Sequence, residues 1–203
     1  MNTKKEEPQF DLTALQHGDR AEFARLVNET SGQIYRLALK MLKDPQDAED
    51  ILQETYIKAF NALPKFEGRS KLSTWLYRIA TNEALMFLRR KRPDSISVEQ
   101  PVEQDEEQTP LQIVDWCCLP EGELMSTEAL AFLDESVDAL PESLRVVFLL
   151  RDIEGLSTRE TANVLELTET AVKTRLSRAR FRLREMLTSY FGQRLPLSEQ
   201  GGV

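Results

Sequence analysis

Between Leu156 and Leu187 the apolar positions fall into two short helical rows separated by a turn, and the remaining chain is organised around that pair. Ser157 with Glu160 three residues on forms a capping-box pattern, in which hydroxyl and carboxylate satisfy backbone donors that a helix start leaves open, so a helix is predicted to begin there. Leu165 closes its apolar pattern, Glu166 and Leu167 make a short connection, and Thr168 can cap a second helix. In that helix Val172, Leu176, Ala179 and Leu183 recur at i, i+4, i+7 and i+11, a row that must face inward. Its opposite side carries Lys173, Thr174, Ser177 and Arg178, flanked by Arg175, Arg180, Arg182 and Arg184. A basic second helix after a turn of about three or four residues matches the helix-turn-helix that lays its second helix in the DNA major groove, although this turn lacks glycine. A solvated basic helix in a small bundle has the same pattern.

Upstream, Phe23, Leu26, Val27, Thr30, Ile34, Leu37, Ala38, Met41 and Leu42 keep to one helical stripe from Arg20 through Lys43, with Gly32 a candidate interruption. Asp44-Pro45 stops that helix, and Pro45, Asp47, Glu49 and Asp50 give the next an acid-rich first turn, as the helix dipole prefers. This second helix is predicted to reach about Leu63, with Ala48, Ile51, Leu52, Thr55, Ala59 and Leu63 inward. Asp47, Asp50, Glu54, Lys58 and Asn61 lie on its other side, bordered by Gln53 and Ile57, a pattern that reads as a solvated acidic face. Pro64 breaks the helix, and residues 65–71 form a loop with one aromatic and three cations. A third helix turns Leu76, Ile79, Ala80 and Phe87 inward and Trp75, Arg78, Asn82, Met86 and Arg89 outward, ending in Arg90, Lys91 and Arg92. Cations interleaved with aromatics can grip a nucleic-acid backbone and stack on unpaired bases. Equally, Trp75 and Tyr77 can belong to the core.

From Pro93 to Leu124 periodicity vanishes, and Pro101, Pro110 and Pro120 with many Glu and Gln residues indicate an extended linker. Its apolar cluster, Leu111, Ile113, Val114 and Trp116, suits a segment that lies in a groove. A helix is then predicted from Ser126 to Ala139, and Pro141 opens another over Glu142–Asp152, with Leu144, Val147, Phe148 and Ile153 apolar and Gly155 at its end. The expected fold is all-α. A loose segment 1–19 precedes a helical domain over 20–93, an acidic linker over 94–125, a helix-turn-helix domain over 126–190 and a flexible tail over 191–203.

Charge sharpens this division. The chain of 203 residues has a net charge of -8, unpromising for a nucleic-acid binder. Yet residues 93–144 hold 14 of the 34 acids and none of the 26 bases, leaving 20 acids against 26 bases elsewhere. Local basic surface, not the chain total, governs counterion release. The 41% hydrophobic content is ordinary for globular domains, and neither an 18-residue apolar run nor a secretory start is present, so a cytoplasmic location is expected. Cys117 and Cys118 are adjacent and His17 is the single histidine, a set that forms no recognisable metal site, and plain thiols in a reducing compartment are expected.

Three segments together resemble one family. DAEDILQETYIKAFNAL, FEGRSKLSTWLYRIATNEALMFLRRKR and ALPESLRVVFLLRDIEGLSTRETANVLELTETAVKTRLSRARFRLREML look like regions two and four of the extracytoplasmic-function sigma factors of the sigma-70 family, in the family's order and spacing. The likeness covers about residues 20–93 and 130–190. It implies a promoter-specificity subunit of bacterial RNA polymerase. Asp47, Asp50, Gln53 and Glu54 would dock on the clamp helices of the largest subunit. The loop from Phe66 to Leu72, with Arg69, Ser70 and Lys71, would receive a base flipped from the -10 element, and Trp75, Arg78 and Asn82 would hold the non-template strand. Extruding a base costs a few kcal/mol of stacking, which a pocket and backbone contacts can offset. Lys173, Thr174, Ser177 and Arg178, with Ser157 and Thr158 at the start of the first helix, would read the -35 element, while the domain's other surface meets the polymerase flap. The linker would thread the polymerase cleft, and an anti-sigma protein is an expected partner. Segments like regions one and three of primary sigma factors are not recognisable, which points to an alternative factor with a narrow regulon.

Two other classes compete. A polymerase-independent helix-turn-helix regulator would not require the second basic-aromatic region. An enzyme would require a site, and one histidine with no phosphate loop or nucleophile motif supplies none, so neither catalytic residue, cofactor nor metal is expected.

Overall fold

A computed structural model of the chain describes residues 9–91 and 127–194, all helical or connecting, with no strand among them. The expected linker over 94–125, its cysteines and the final tail lie outside these residues, apart from residues 191–194 of the last helix.

The first group comprises α1 (Leu12–Gln16), α2 (Arg20–Leu42), α3 (Pro45–Ala62), a 3-10 turn (Leu63–Lys65) and α4 (Leu72–Lys91). Helix α2 runs through Gly32 without a break and stops at Lys43, whose φ of 63° is left-handed and whose N–H closes on Leu39 O. Asp44 then caps α3 by accepting the Asp47 N–H at 2.9 Å, with Pro45 at a position that needs no donor. The stripes read from the sequence form the core: Leu26, Ile34, Leu37, Ala48, Ala59, Leu63, Leu76 and Ala80 are almost wholly buried. Each fully buried leucine or isoleucine contributes about 1.5–3 kcal/mol over its exposed state. One polar pair sits inside. Thr30 donates to Leu26 O at 2.7 Å, so its single proton is committed and Tyr56 must donate across the 2.6 Å to Thr30.

The expected loose segment 1–19 needs correction over its second half. Asp11 caps α1 through the Ala14 N–H, and Leu15 is 1% exposed because α1 packs on the 3-10 turn. Five residues are too few for a periodic signal, so only the tertiary contact makes this helix.

The second group comprises α5 (Thr127–Ala139), α6 (Glu142–Phe148), α7 (Thr158–Leu165) and α8 (Glu169–Arg194). The helix expected over Glu142–Asp152 is instead α6 followed by a π turn over Leu149–Ile153. The widened turn keeps Leu149 and Leu150 buried but rotates Ile153 outward to 61% exposure, so Ile153 is no core residue. Gly155, at φ 73°, ends the segment in a conformation that suits glycine. The capping box forms as the sequence indicates, with Glu160 N–H to Ser157 Oγ at 3.2 Å and Ser157 N–H to Glu160 Oε2 at 2.8 Å. Thr168 caps α8 by accepting the Ala171 N–H at 3.1 Å, and Val172, Leu176, Ala179 and Leu183 are all buried.

The two groups touch. Helix α7 packs across α4, and α6 reaches α2, where Arg145, 7% exposed, donates to Met41 O at 3.1 Å and to Asp138 O at 3.0 Å.

Candidate nucleic-acid interface

The helix-turn-helix is built by α7 and α8. Between them Glu166 adopts φ 56°, the left-handed conformation usually left to glycine, and its N–H closes α7 on Ala162 O. This explains a turn without glycine: Glu166 itself takes the strained position. On α8 the face opposite the buried row shows Lys173, Thr174 and Ser177 exposed and Arg178 half-buried. Thr174 donates to Thr170 O at 3.0 Å, which turns its hydroxyl proton to its own helix. Two flanking cations are withdrawn from that face. Arg175 is 8% exposed, and burial pushes its guanidinium pKa down. Arg180 makes a two-point bond to Asp152 at 2.8 and 2.7 Å, and this partner raises its pKa. The π turn is what brings Asp152 there, a role the sequence pattern does not signal.

The second basic surface is α4 with its preceding loop. Phe66 is 7% exposed and its ring lies 4.9 Å from half-buried Trp75, while Gln16 of α1 donates to Phe66 O at 2.7 Å. Phe66, at the head of the loop expected to receive a flipped base, is therefore packed inward with Trp75 as its partner. Arg69, paired with Glu67, and Ser70 and Lys71 are exposed at the tip, where Gly68 takes φ 70°. Arg78 extends from α4 to Glu166 at 2.9 Å, and Asn82 is half-buried. Tyr77, left between core and nucleic-acid roles by the sequence, is 5% exposed and donates to Glu154 of the second group.

Between the groups lies a cleft of about 520 Å³ lined by Thr30, Gln33, Arg36, Lys71, Tyr77, Glu154 and Glu160 among others. Burial pushes the Glu154 carboxyl above its ordinary value against the pull of Tyr77 and Arg36. Glu160 moves the other way, lowered chiefly by its bonds with Ser157.

The acidic face of α3 holds Asp50 and Gln53 exposed, while Asp47 bonds Lys91 at 2.7 Å and Glu54 lies 3.4 Å from Lys58. Beside them Ile57 is 56% and Phe60 40% exposed, an apolar patch on an acidic helix. Large exposed apolar side chains ringed by charge mark contact surfaces. Among the described residues no cluster of His, Cys, Asp or Glu could hold a metal ion, and no helix is long and apolar enough to cross a membrane.

Comparison with known proteins agrees with this layout. Residues 26–93 match the family model for Sigma-70 region 2 and residues 133–183 that for Sigma-70, region 4. The chain is 35% identical to the ECF RNA polymerase sigma factor SigW of Bacillus subtilis over 176 residues, covering 87% of this chain and 94% of that one. It is 35% identical over 183 residues to the RNA polymerase sigma-H factor of Pseudomonas aeruginosa, covering 89% and 93%. The solved structure of CnrH in complex with the cytosolic domain of CnrY has a TM-score of 0.62 at 24% identity, covering 88% of this chain and 95% of that chain. A sigma factor RpoE in complex with the anti-sigma factor NepR from Bartonella quintana also gives 0.62, at 22% identity, over 82% and 97%. These two show a shared fold. The chain belongs to the extracytoplasmic-function sigma factors of the sigma-70 family, and it is an alternative RNA polymerase sigma factor. The family consists of transcription initiation factors.

Proposed function

We propose that the chain joins core RNA polymerase in the cytoplasm, reads -35 and -10 promoter elements and assists melting, the polymerase supplying all the chemistry. The observation that carries this reading is the helix-turn-helix whose exposed Lys173, Thr174 and Ser177 stand opposite the buried row of α8, in a chain that also holds a basic-aromatic α4. Asp50 and Gln53, with Asp47 and Glu54 behind their ion pairs and Ile57 alongside, serve as the docking face for the clamp helices of the largest subunit. Lys173, Ser177 and Arg178 read the -35 duplex, with Thr174 supplying its hydroxyl oxygen, and Ser157 and Thr158 lie at a helix start suited to a phosphate. The opposite side of this domain meets the polymerase flap. Arg69, Ser70, Lys71, Trp75, Arg78 and Asn82 hold the -10 strand. Phe66 shapes that loop from inside. The solved RpoE neighbour is in complex with the anti-sigma factor NepR, and an anti-sigma protein is proposed here as well.

Run-off transcription with core polymerase on a genomic fragment library tests the reading. Discrete promoter-dependent transcripts that require the added chain are expected, and none would overturn it. The exposed recognition face also suits a polymerase-independent regulator. Specific duplex binding in a gel shift, unchanged by core polymerase, would favour that alternative.

A further inference from the structure

Of the residues proposed to face the polymerase, Asp47 and Glu54 are met by charges that α4 controls. Lys91, the last residue of α4, places its ammonium 2.7 Å from Asp47 Oδ2 and 5.4 Å from the centre of the Phe87 ring. The Asp47 side chain is 18% exposed and that of Lys91 59%, so the carboxylate is the covered partner and the cation the removable one. Further along α3, Lys58 stands between two acids, 2.5 Å from Glu83 of α4 and 3.4 Å from Glu54 of its own helix. Glu83 is the chief cause that holds the Lys58 ammonium above its ordinary pKa, and Glu54 contributes less. The nearer acid on α4 therefore takes most of a cation that would otherwise lie on the docking face.

From these contacts we infer that α4 sets the charge of the docking face: Lys91 withholds Asp47 from the polymerase, and Glu83 draws Lys58 aside and so keeps Glu54 available. An acidic face calls for a cationic partner surface. A cation of that partner reaches Asp47 only by displacing Lys91, whose ammonium then returns to water. The exchange costs little, because an exposed ion pair is weak and is screened by salt. Without Glu83, Lys58 would turn to Glu54, a Glu four residues before a Lys being the favourable order on a helix, and would neutralise a second docking group. Lys91 and Glu83 are thus positioning residues with opposite effects on core affinity, although both belong to α4 and neither touches the partner. This inference rests on assigning the acidic face of α3 to the polymerase.

The test titrates the full chain against core polymerase in a pull-down, without DNA. Lys91→Met should bind about two- to fivefold more tightly, the range of one exposed ion pair, and Glu83→Gln more weakly by a similar factor. Lys91→Arg keeps the pair and should match the wild type. Two double-mutant cycles separate this linkage from net charge. Added to Asp47→Asn, Lys91→Met should do nothing, since no carboxylate is left to withhold; added to Lys58→Met, Glu83→Gln should do nothing, since no cation is left to divert. A Lys91→Met gain that persists beside Asp47→Asn overturns the inference, because it reports charge alone. So does an unchanged or weakened Lys91→Met, weakening being the direction a merely structural role would give, or a Glu83→Gln that binds as well as wild type. Asp50→Ala tells the two failures apart. If it leaves core binding unmoved, the assignment of α3 to the polymerase falls; if it weakens binding while Lys91→Met does not tighten it, only the present inference falls.

Discussion

Replacing Ser157 by alanine deletes the hydroxyl that accepts the Glu160 N–H at 3.2 Å, while the return bond from Ser157 N–H to Glu160 at 2.8 Å survives. The lost bond is at the long limit for N–H···O and lies on an exposed helix start, so of the 0.5–2 kcal/mol span for cap deletions a value of about 1 kcal/mol is expected. The helix it starts, Thr158–Leu165, has eight residues and could not persist alone, and Val164 at 1% exposure ties it to the core. Urea unfolding followed by circular dichroism should show a lower midpoint with unchanged slope. Glycine should cost only a few tenths of a kcal/mol, and aspartate almost nothing, since it caps as well as serine. Transcription separates the roles differently: Ser157→Asp keeps the cap but places a carboxylate where a promoter phosphate is proposed, so it should be stable and weakly active. The acid limb adds a sign. Glu160 lies below its ordinary value of 4.5, first through the Ser157 hydroxyl, so its contribution is present above that value and lost as pH falls below it. Ser157→Ala should flatten that limb. An alanine variant within about 0.3 kcal/mol of wild type would refute the capping argument, because surface changes without a mechanism fall within about 0.5.

Three further outcomes are expected. Asp50→Ala should weaken core association about two- to fivefold in a pull-down titration, the scale of one exposed charge, and an unchanged affinity would return this face to solvated surface. Arg178→Ala should lower transcription from a recovered promoter and leave core binding intact; equal loss of core binding would refute its placement at DNA. Tyr56→Phe should cost about 1 kcal/mol by removing the donor to Thr30. Burial holds the Tyr56 hydroxyl above its ordinary 10.0, so the folded state keeps the proton longer and stability falls as pH rises past 10. The phenylalanine variant should lack that alkaline loss.

The long amphipathic helices were legible because their stripes meet a core that wants the same positions: Leu26 to Met41, Ala48 to Leu63 and Val172 to Leu183 are buried as the periodicity requires. Caps at Ser157 and Thr168 were legible because they are local chemistry. Three features were not. Helix α1 exists through contact with a distant turn. The π turn is one extra residue in a ring, invisible to a period of 3.6, and within it Ile153 is exposed and Asp152 meets Arg180. Phe66 reads from the sequence only as an aromatic in a loop, because nothing there says that Trp75 and Gln16 hold it. The candidate face of α8 was legible residue by residue, yet the loss of Arg175 and Arg180 from it depends on burial and on that π turn.

Glu166 carries two opposed demands. Its left-handed backbone costs an L-residue about 1 kcal/mol that glycine would not bear, though glycine would return part of this as unfolded-chain entropy. Its carboxylate is what reaches Arg78. Glu166→Gly should therefore give a sturdier second domain with a looser joint to α4, read as a higher unfolding midpoint together with loss of the Arg78 contact. One side chain in a surface turn thus sets the stability of its own domain against attachment to the neighbouring one.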